Sequence, residues 1–328
     1  MTFPPPTING MKATQFFSYG APGVLRLTDV DRPEPGAGQV LVRVGASSVN
    51  GHDALLRSGG MKIVSGRRFP IGSGLDFAGV VAATGPGTTR VAVGDAVWGT
   101  VHPREKHVVA GAAEYVLVRA DRIGPAPAGL SAVEAAALVV PGVTALAALR
   151  DATVLTAGES VLVRGAAGGV GTAMVQLAHA FGGRVTALAR DRHTKALTDL
   201  GATTVVDYRR TAPEDLGPFD VVLDTVGTDL GRYRRRLAPG GRMVTVGLSG
   251  PAIAAVAAST VHGSRRIRTF SVNPLTPHLI RLAEQVTAGA LRPVIDGVYP
   301  LADIAAAHEA FERGGALGKQ VVEVSHPA

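Results

Sequence analysis

The chain has 328 residues, of which 46% are hydrophobic and 18% are charged, and its formal net charge is +7. It contains no cysteine, which excludes disulfides and zinc sites with thiolate ligands. No run approaches the roughly 18 consecutive apolar residues of a membrane span, so we expect no membrane partner. The basic residues are nearly all arginines spread along the chain, so we expect no nucleic acid as the main partner.

The first segment, residues 1–10, contains three consecutive prolines but neither a basic segment nor an apolar core. It therefore lacks the features of a signal peptide. We interpret residues 1–10 as a disordered leader and expect a cytoplasmic protein.

Short β-prone runs separated by turns follow the leader. Strands are predicted over Lys12–Tyr19, Val24–Val30, Gln39–Ala46, Gly79–Thr84, Ala96–Gly99 and Glu114–Arg119. Their shortness and the turn residues between them favour antiparallel pairing, in a partly closed β-barrel.

Strands and helices alternate from about Ser131, which with Glu134 resembles a capping box before an alanine-rich helix. Strands are predicted over Val161–Val163, Val185–Ala189, Val205–Asp207, Val221–Asp224, Met243–Val246 and Arg266–Ser271. The intervening helices are predicted over Thr172–Phe181, Thr194–Leu200, Asp229–Leu237 and Ala252–Val261. This alternation predicts a parallel, doubly wound sheet.

The last part of the chain returns to mixed structure. A helix is predicted over Pro277–Ala288, and the tail over Val294–Val324 reads as strand, helix and strand. Because the tail is too short for a third domain, we expect it to complete the first one. The prediction is one domain of residues 11–130 and 272–328, interrupted by a second domain of residues 131–271.

A glycine turn lies between the first strand and the following helix of the second domain, residues 131–271. Its spacing is Ala166-x-Gly168-x-x-Gly171, with Gly169 and Val170 completing the turn. Small residues let the backbone approach phosphates, and the N–H groups and dipole of the helix start stabilise an anion. The strand, turn and helix in this order predict a site for a dinucleotide pyrophosphate.

Arg190 stands at the end of the second strand, 19 residues after Gly171. NAD enzymes usually place an acid there for the adenosine ribose, whereas a guanidinium can hydrogen-bond a 2′-phosphate. Arg192 and Lys195 follow closely, and Tyr208 adds a hydroxyl after the third strand. These residues predict NADPH as the cofactor; the alternative is that Arg190 and Arg192 are ordinary solvated side chains.

Short segments along nearly the whole chain carry a family resemblance. They are Met11–Ala13, Pro33–Gly36, Val40–Val44, Ser48–Asn50, Asp76–Val81, Thr84–Gly87, Val93–Val97, Ala166–Gly171, Leu200–Ala202, Asp207–Arg209, Phe219–Asp224, Pro239–Arg242 and Gly318–Lys319. In order and spacing the chain resembles the zinc-free medium-chain dehydrogenases/reductases of the quinone oxidoreductase (zeta-crystallin-like) family. The resemblance implies an α/β fold, in which a GroES-like β-barrel catalytic domain is interrupted by a Rossmann domain with a doubly wound parallel sheet. It also implies a homodimer.

The resemblance also bears on metal chemistry. The zinc enzymes of this superfamily bind their catalytic metal where this chain has Asn50-Gly51-His52-Asp53 and Leu75-Asp76, so no metal site is expected. Without a Lewis acid, alcohol oxidation loses its main electrostatic help. The implied function is NADPH-dependent hydride transfer to a quinone or an α,β-unsaturated carbonyl. The alternatives are an enoyl or keto reductase of specialised metabolism and an NADPH-binding protein with little catalysis.

Two candidate catalytic residues follow from the resemblance. It places Asn50 near the nicotinamide ribose and the reacting carbonyl, where its amide can hydrogen-bond a developing oxyanion; the alternative is a local turn before a helix. Leu55 replaces a tyrosine common in the family, which leaves His52 as the nearest titratable group for proton delivery. An exposed histidine at a helix start, with solvent as the proton donor, is the alternative.

Further cofactor contacts are expected at the carboxyl ends of the strands, where ligands bind in open α/β sheets. Gly247 and Leu248 end the fifth strand, and Ser271, Val272 and Asn273 end the sixth. By resemblance, Thr144 and Lys319 also contact the cofactor. For Thr144 the alternative is a helix-start hydroxyl bonded to the backbone.

Overall fold

The structure is a computed structural model that describes residues 10–62, 68–102, 108–247 and 250–326. Leu248 and residues 1–9 of the predicted leader lie outside the described residues. Strand β1 begins at Gly10, one residue before the predicted start of the first domain, because Gly10 pairs with Asp31.

The described residues form sixteen strands in chain order. They are β1 Gly10–Phe16, β2 Leu25–Asp31, β3 Gln39–Ser48, β4 Ile71–Gly72, β5 Asp76–Thr84, β6 Ala96–Thr100, β7 Tyr115–Arg119, β8 Ile123–Pro125, β9 Ser160–Arg164, β10 Arg184–Ala189, β11 Thr204–Asp207, β12 Phe219–Asp224, β13 Leu237–Thr245, β14 Ile267–Thr269, β15 Ile295–Pro300 and β16 Lys319–Glu323.

Eight α-helices lie between these strands in the described parts of the chain. They are α1 Gly51–Ser58, α2 Ala132–Leu146, α3 Gly169–Ala180, α4 Thr194–Asp199, α5 Leu230–Arg234, α6 Gly250–Ser259, α7 Thr276–Thr287 and α8 Ile304–Arg313.

Two large sheets organise the molecule. Six strands form a parallel sheet in the order β11-β10-β9-β12-β13-β14. Strands β10 and β11 are added on one side of β9, and β12, β13 and β14 are added on its other side. The switch point of the sheet therefore lies between β9 and β12. The second sheet contains β15, β16, β3, β5, β6 and β8 in that order, with β7 also paired to β3, and is antiparallel apart from the β15–β16 pair. The α/β class is confirmed, with a GroES-like barrel domain and a parallel-sheet Rossmann domain.

The parallel sheet is buried on both faces, as its apolar sequence predicts. Val161, Leu162 and Val163 in the central strand β9 are all fully buried. Helix α3 covers one face with Met174 and Leu177, which are also fully buried. This packing fixes the carboxyl end of β9, from which the glycine turn emerges.

Helix α2 lies between the two sheets. It begins with the predicted capping box, in which Ser131 Oγ accepts from the N–H of Glu134 and the Glu134 carboxylate accepts from the N–H of Ser131. The helical stretch Ala132–Ala152 has the length and apolar composition of a membrane span, but 72% of its most apolar window is buried inside the protein. Burial of that kind is what a core helix shows.

One predicted helix is wrong in extent. The prediction over Asp229–Leu237 becomes the five-residue helix α5, preceded by Asp229 in a left-handed conformation with φ of 52°. Leu237 instead begins β13 and pairs with Phe219. Tertiary strand pairing overrides the helical appearance of the local sequence here.

Candidate active site

The glycine turn leaves β9 at the switch point of the parallel sheet, where open α/β folds bind ligands. Ala166 is fully buried beneath it, and Gly168 is the exposed residue that immediately precedes α3. The first N–H groups of a helix have no partner within the helix, so those of Gly169, Val170 and Gly171 are available to an anion.

The turn is too tight for side chains at two of its positions. A Cβ atom on Gly171 would lie 2.1 Å from the carbonyl oxygen of Gly165, and one on Gly169 would lie 2.4 Å from Cδ of Lys319. At Gly168, by contrast, the nearest atom would be 3.5 Å away. This backbone cradle at a helix start fits the pyrophosphate of a dinucleotide.

A buried ion pair stands at the switch point itself and was not predicted from the sequence. The Arg164 guanidinium, at the end of β9, pairs with the carboxylate of Asp224, at the end of β12. Asp224 is fully buried and also accepts from Thr245 Oγ1 at 2.6 Å and from the N–H of Gly227 at 2.8 Å. The signal that could have identified the pair is a charged residue at the end of each of two apolar strands.

Arg190 and Tyr208 are brought together at the carboxyl ends of β10 and β11. Arg190 Nε donates to the Tyr208 hydroxyl across 3.2 Å, and the two terminal nitrogens of Arg190 donate to no described residue. A cavity of about 670 Å³, lined in part by Tyr208, Arg209, Arg210 and Val226, lies beside this pair. The two terminal nitrogens of Arg190 are therefore free to bind an anion at this end of the sheet.

Arg192 is held by the tail. Its Nη2 donates to the carbonyl oxygen of Gly315, and its Nε donates to His193 Nε2 at 3.1 Å. A Cβ on Gly315 would lie 2.7 Å from Arg192 Nη2 and 2.9 Å from Arg190 Nη1, so both guanidiniums lie against this glycine. Gly315 was not identified from the sequence.

The acids nearest to Arg190 have partners of their own. Asp191 pairs with Arg210 at 3.0 Å, and Asp207 accepts from Arg209 Nη2 at 2.6 Å. The hydrogen bonds from Arg209 hold the pKa of Asp207 far below its usual range, so this carboxyl stays ionised and paired. Arg190 therefore keeps its charge available for an anion.

Lys195 lies apart from this group in its interactions. Its ammonium donates to Asp199 Oδ2 at 2.7 Å along α4, and its side chain is 88% exposed. The prediction that it contacts the cofactor stays a prediction.

Asn50, Asp76 and Lys319 form a buried polar cluster beside the glycine turn. Asn50 Oδ1 accepts from the Lys319 ammonium at 2.7 Å, and Asn50 Nδ2 donates to Asp76 Oδ2 at 2.9 Å and to the Ser48 carbonyl at 3.0 Å. Lys319 also donates to the Val49 carbonyl. Both amide hydrogens of Asn50 are thus engaged, so a bond from them to a substrate oxygen requires an exchange of partners.

Burial opposes ionisation throughout this cluster. It raises the pKa of Asp76, while the Lys319 ammonium and hydrogen bonds from Ser48 and Asn50 act in the opposite direction. It lowers the pKa of Lys319, and the nearby Asp76 charge again opposes that shift. Each of the two groups therefore depends on the other to remain charged.

The helix α1 begins directly after Asn50. The N–H of Asn50 donates to Asp53 Oδ2 at 2.9 Å, so Asp53 caps the N-terminus of α1. Arg57 pairs with Glu312 of α8. His52 is the second residue of α1 and is half-buried. Its catalytic role stays a prediction.

The remaining predicted contacts lie on several elements. Thr144 is buried in the last turn of α2, so the alternative of a helix-start hydroxyl is wrong. Gly247 follows β13 and packs against Gly227, while Ser271 and Asn273 are exposed and Val272 is half-buried after β14. Asn273 accepts from Arg122 at 2.9 Å.

No group of three or more potential metal ligands occurs among the described residues. Asp76, which lies in a segment that resembles a metal-binding segment of the zinc enzymes, accepts hydrogen bonds from Ser48 and Asn50.

Two family models match the chain. The description "alcohol dehydrogenase GroES-like domain" matches residues 36–128, and "zinc-binding dehydrogenase" matches residues 200–322. The first match covers β3–β8, and the second runs through β11–β14 of the parallel sheet and on into β15 and β16 of the second sheet.

Individual relatives match along nearly the full length. The quinone oxidoreductase of Sus scrofa is 33% identical over 95% of this chain and 97% of its own. The 2-methylene-furan-3-one reductase of Solanum lycopersicum is 34% identical over 97% of this chain and 79% of its own. The structure of the quinone oxidoreductase from Coxiella burnetii superposes with a TM-score of 0.88 at 32% identity, covering 96% of this chain and all of that one. The chain belongs to the medium-chain dehydrogenases/reductases, in the quinone oxidoreductase family, and is an oxidoreductase with a nicotinamide cofactor.

Proposed function

We propose that the protein is an NADPH-dependent reductase that transfers a hydride to a quinone or an α,β-unsaturated carbonyl without zinc. The observation that carries the choice of cofactor is the free guanidinium fork of Arg190 beside Tyr208. A 2′-phosphate accepts two hydrogen bonds from such a fork, whereas the ribose hydroxyls of NADH give it no anion to bind.

Different residues of the chain would bind the different parts of the cofactor. Gly168–Gly171 would receive the pyrophosphate, Arg190 and Tyr208 the adenosine phosphate, and Asn50 and Lys319 the opposite half. When bound, the reduced nicotinamide supplies the hydride. The protein contributes position and polarity, and buried charges around Asn50 keep that polar environment fixed.

The class of acceptor rests on two considerations. Two relatives that match most of the chain are named quinone oxidoreductase and 2-methylene-furan-3-one reductase. Both names describe acceptors that are conjugated carbonyl compounds. By resemblance, the segments that match the metal-binding regions of the zinc enzymes read Asn50-Gly51-His52-Asp53 and Leu75-Asp76, and the chain has no cysteine. Conjugated acceptors delocalise the charge that a metal would otherwise stabilise.

The experiment is NADPH consumption against a panel of quinones, enones and simple ketones, with a chelator control and product analysis. Hydroquinone or a reduced C=C bond supports the proposal. Reduction of an unconjugated ketone favours a keto reductase, and tight NADPH binding without turnover favours a protein with little catalysis.

We also propose a homodimer. Strand β14 stands at the edge of the six-stranded sheet, so its outer backbone groups face no neighbouring strand in the described chain. Light scattering coupled to size exclusion tests this; a mass of one chain at micromolar concentration contradicts it.

A further inference from the structure

The buried cluster around Asn50 contains two ionisable groups from distant parts of the chain. Asp76 begins β5 and is fully buried, and Lys319 begins β16 and is 6% exposed. Burying one isolated charge is strongly unfavourable, so two charges in one buried site imply that they act together.

These two groups determine how the Asn50 amide is turned. The Asp76 carboxylate accepts from the Ser48 N–H at 2.7 Å, from the Ser48 hydroxyl at 2.7 Å and from Asn50 Nδ2 at 2.9 Å. The Lys319 ammonium is only a donor. A flipped Asn50 amide would place oxygen against carboxylate and N–H against ammonium, so a single orientation is allowed.

The orientation leaves a defined set of unused hydrogen-bonding groups. Asn50 Oδ1 accepts one bond and has a second lone pair, and Lys319 donates two bonds within the described residues and has a third hydrogen. The side chain of Lys319 lies against Gly169, and the N–H of Gly318 donates to the Ala167 carbonyl at 2.7 Å. The unused acceptor and donor therefore stand next to the cofactor's phosphate cradle.

We propose that Asp76 is a positioning residue: with Lys319 it locks the Asn50 amide so that its oxygen, together with the Lys319 ammonium, receives a cofactor hydroxyl. A hydroxyl is both donor and acceptor, so it satisfies both unused groups at once. In this arrangement Asn50 acts as an acceptor toward the cofactor, and its N–H groups serve the interior. The inference rests on the proposed binding of a nicotinamide cofactor.

A mutant cycle tests it on binding rather than on turnover. The variants are Asp76→Asn, Asn50→Ala and the pair combined, and the measurements are the Kd values of NADPH and NADH by calorimetry and the Tm of each protein. We expect each single variant to weaken both cofactors by the same factor, about tenfold. We expect the combined variant to bind no more weakly than Asn50→Ala alone, because Asp76 acts through Asn50.

The comparison variant is Arg190→Met, which is expected to weaken NADPH alone. Additive losses in the cycle, or an unchanged Kd in Asp76→Asn, overturn the inference. If Asp76→Asn does not fold, the double variant Asp76→Asn with Lys319→Met takes its place in the experiment. This variant is neutral at both positions and therefore leaves no unpaired buried charge in the cluster. Recovery of wild-type Kd values in that pair also overturns the inference. If the unmodified protein binds neither cofactor, it is the proposed function that fails.

Discussion

The ammonium of Lys319 lies 2.7 Å from Oδ1 of Asn50, although 269 positions separate the two residues in the chain. This contact joins the last strand of the barrel domain to the start of α1 beside the glycine turn. The tail therefore completes the site, and the cofactor half of the site is built from both domains.

The first prediction concerns the choice between NADPH and NADH. Arg190→Met removes the free guanidinium fork, so kcat/KM for NADPH should fall about 10- to 100-fold, while that for NADH should stay nearly constant. The matched control is Arg184→Met, at the opposite end of the same strand, where the guanidinium contacts the Gly158 carbonyl. Equal losses with both cofactors in Arg190→Met contradict the assignment.

The second prediction concerns Gly315, which lies against both Arg190 and Arg192. Gly315→Ala places a Cβ within 3 Å of these guanidiniums, so it should lower the NADPH-to-NADH ratio of kcat/KM as well as stability. The control is Gly314→Ala. Its φ of +68° resembles the +77° of Gly315, but no atom lies within 4 Å of its added Cβ.

Both alanine variants should lose about 1–3 kcal/mol of unfolding free energy through backbone strain. Only Gly315→Ala should change the cofactor ratio. A similar ratio change in both variants shows that backbone strain, rather than displacement of the guanidiniums, controls cofactor choice.

The third prediction concerns the buried pair at the switch point. Asp224→Ala leaves the buried Arg164 guanidinium without its counter-charge. The free energy of unfolding, measured by urea titration, should therefore fall by about 3–5 kcal/mol. The control is Asp29→Ala, which breaks an exposed ion pair with Lys12 and should cost about 0–1 kcal/mol. Equal losses in the two variants refute the importance of burial here.

The fourth prediction concerns pH. Burial lowers the pKa of His308 to about 4, with Arg57 and Lys319 acting in the same direction and Asp53 opposing them. Between pH 4 and about 6.5 the unfolded chain binds more protons at this histidine than the folded one. The stability that the neutral form of His308 contributes to the free energy of unfolding is therefore fully present above about pH 6.5 and is lost as the pH falls toward 4.

The matched variant is His308→Gln, which cannot titrate. The wild-type free energy of unfolding should fall with decreasing pH more steeply than that of the variant, by at most about 1.4 kcal/mol per pH unit. Parallel curves for the two proteins between pH 4 and 6.5 contradict the prediction.

Local patterns in the sequence predict the two sheets, because apolar runs, turns and a glycine-rich helix start are local features. The capping box at Ser131 follows from the local sequence, and the meeting of Arg190 with Tyr208 follows from the pairing of β10 with β11. The extent of α5 does not, because Leu237 joins a strand only through its pairing with Phe219.

Contacts between distant segments were harder to predict. Arg192 meets the Gly315 carbonyl 123 residues away, and a glycine backbone gives no sequence signal for such a partner. Asp76 did offer one, since an acid that begins a buried apolar strand needs hydrogen-bond donors. Which donors serve Asp76 depends on long-range packing, because Asn50 and the Lys319 ammonium reach it from distant parts of the chain.

The proposed choice of NADPH depends on binding of its 2′-phosphate at the end of β10, and one measurement tests this binding directly. Calorimetric titration of the purified protein with NADPH and with NADH gives the two Kd values under identical salt conditions. We predict a Kd for NADPH about 10- to 100-fold lower than that for NADH. Equal affinities, or tighter binding of NADH, contradict the account.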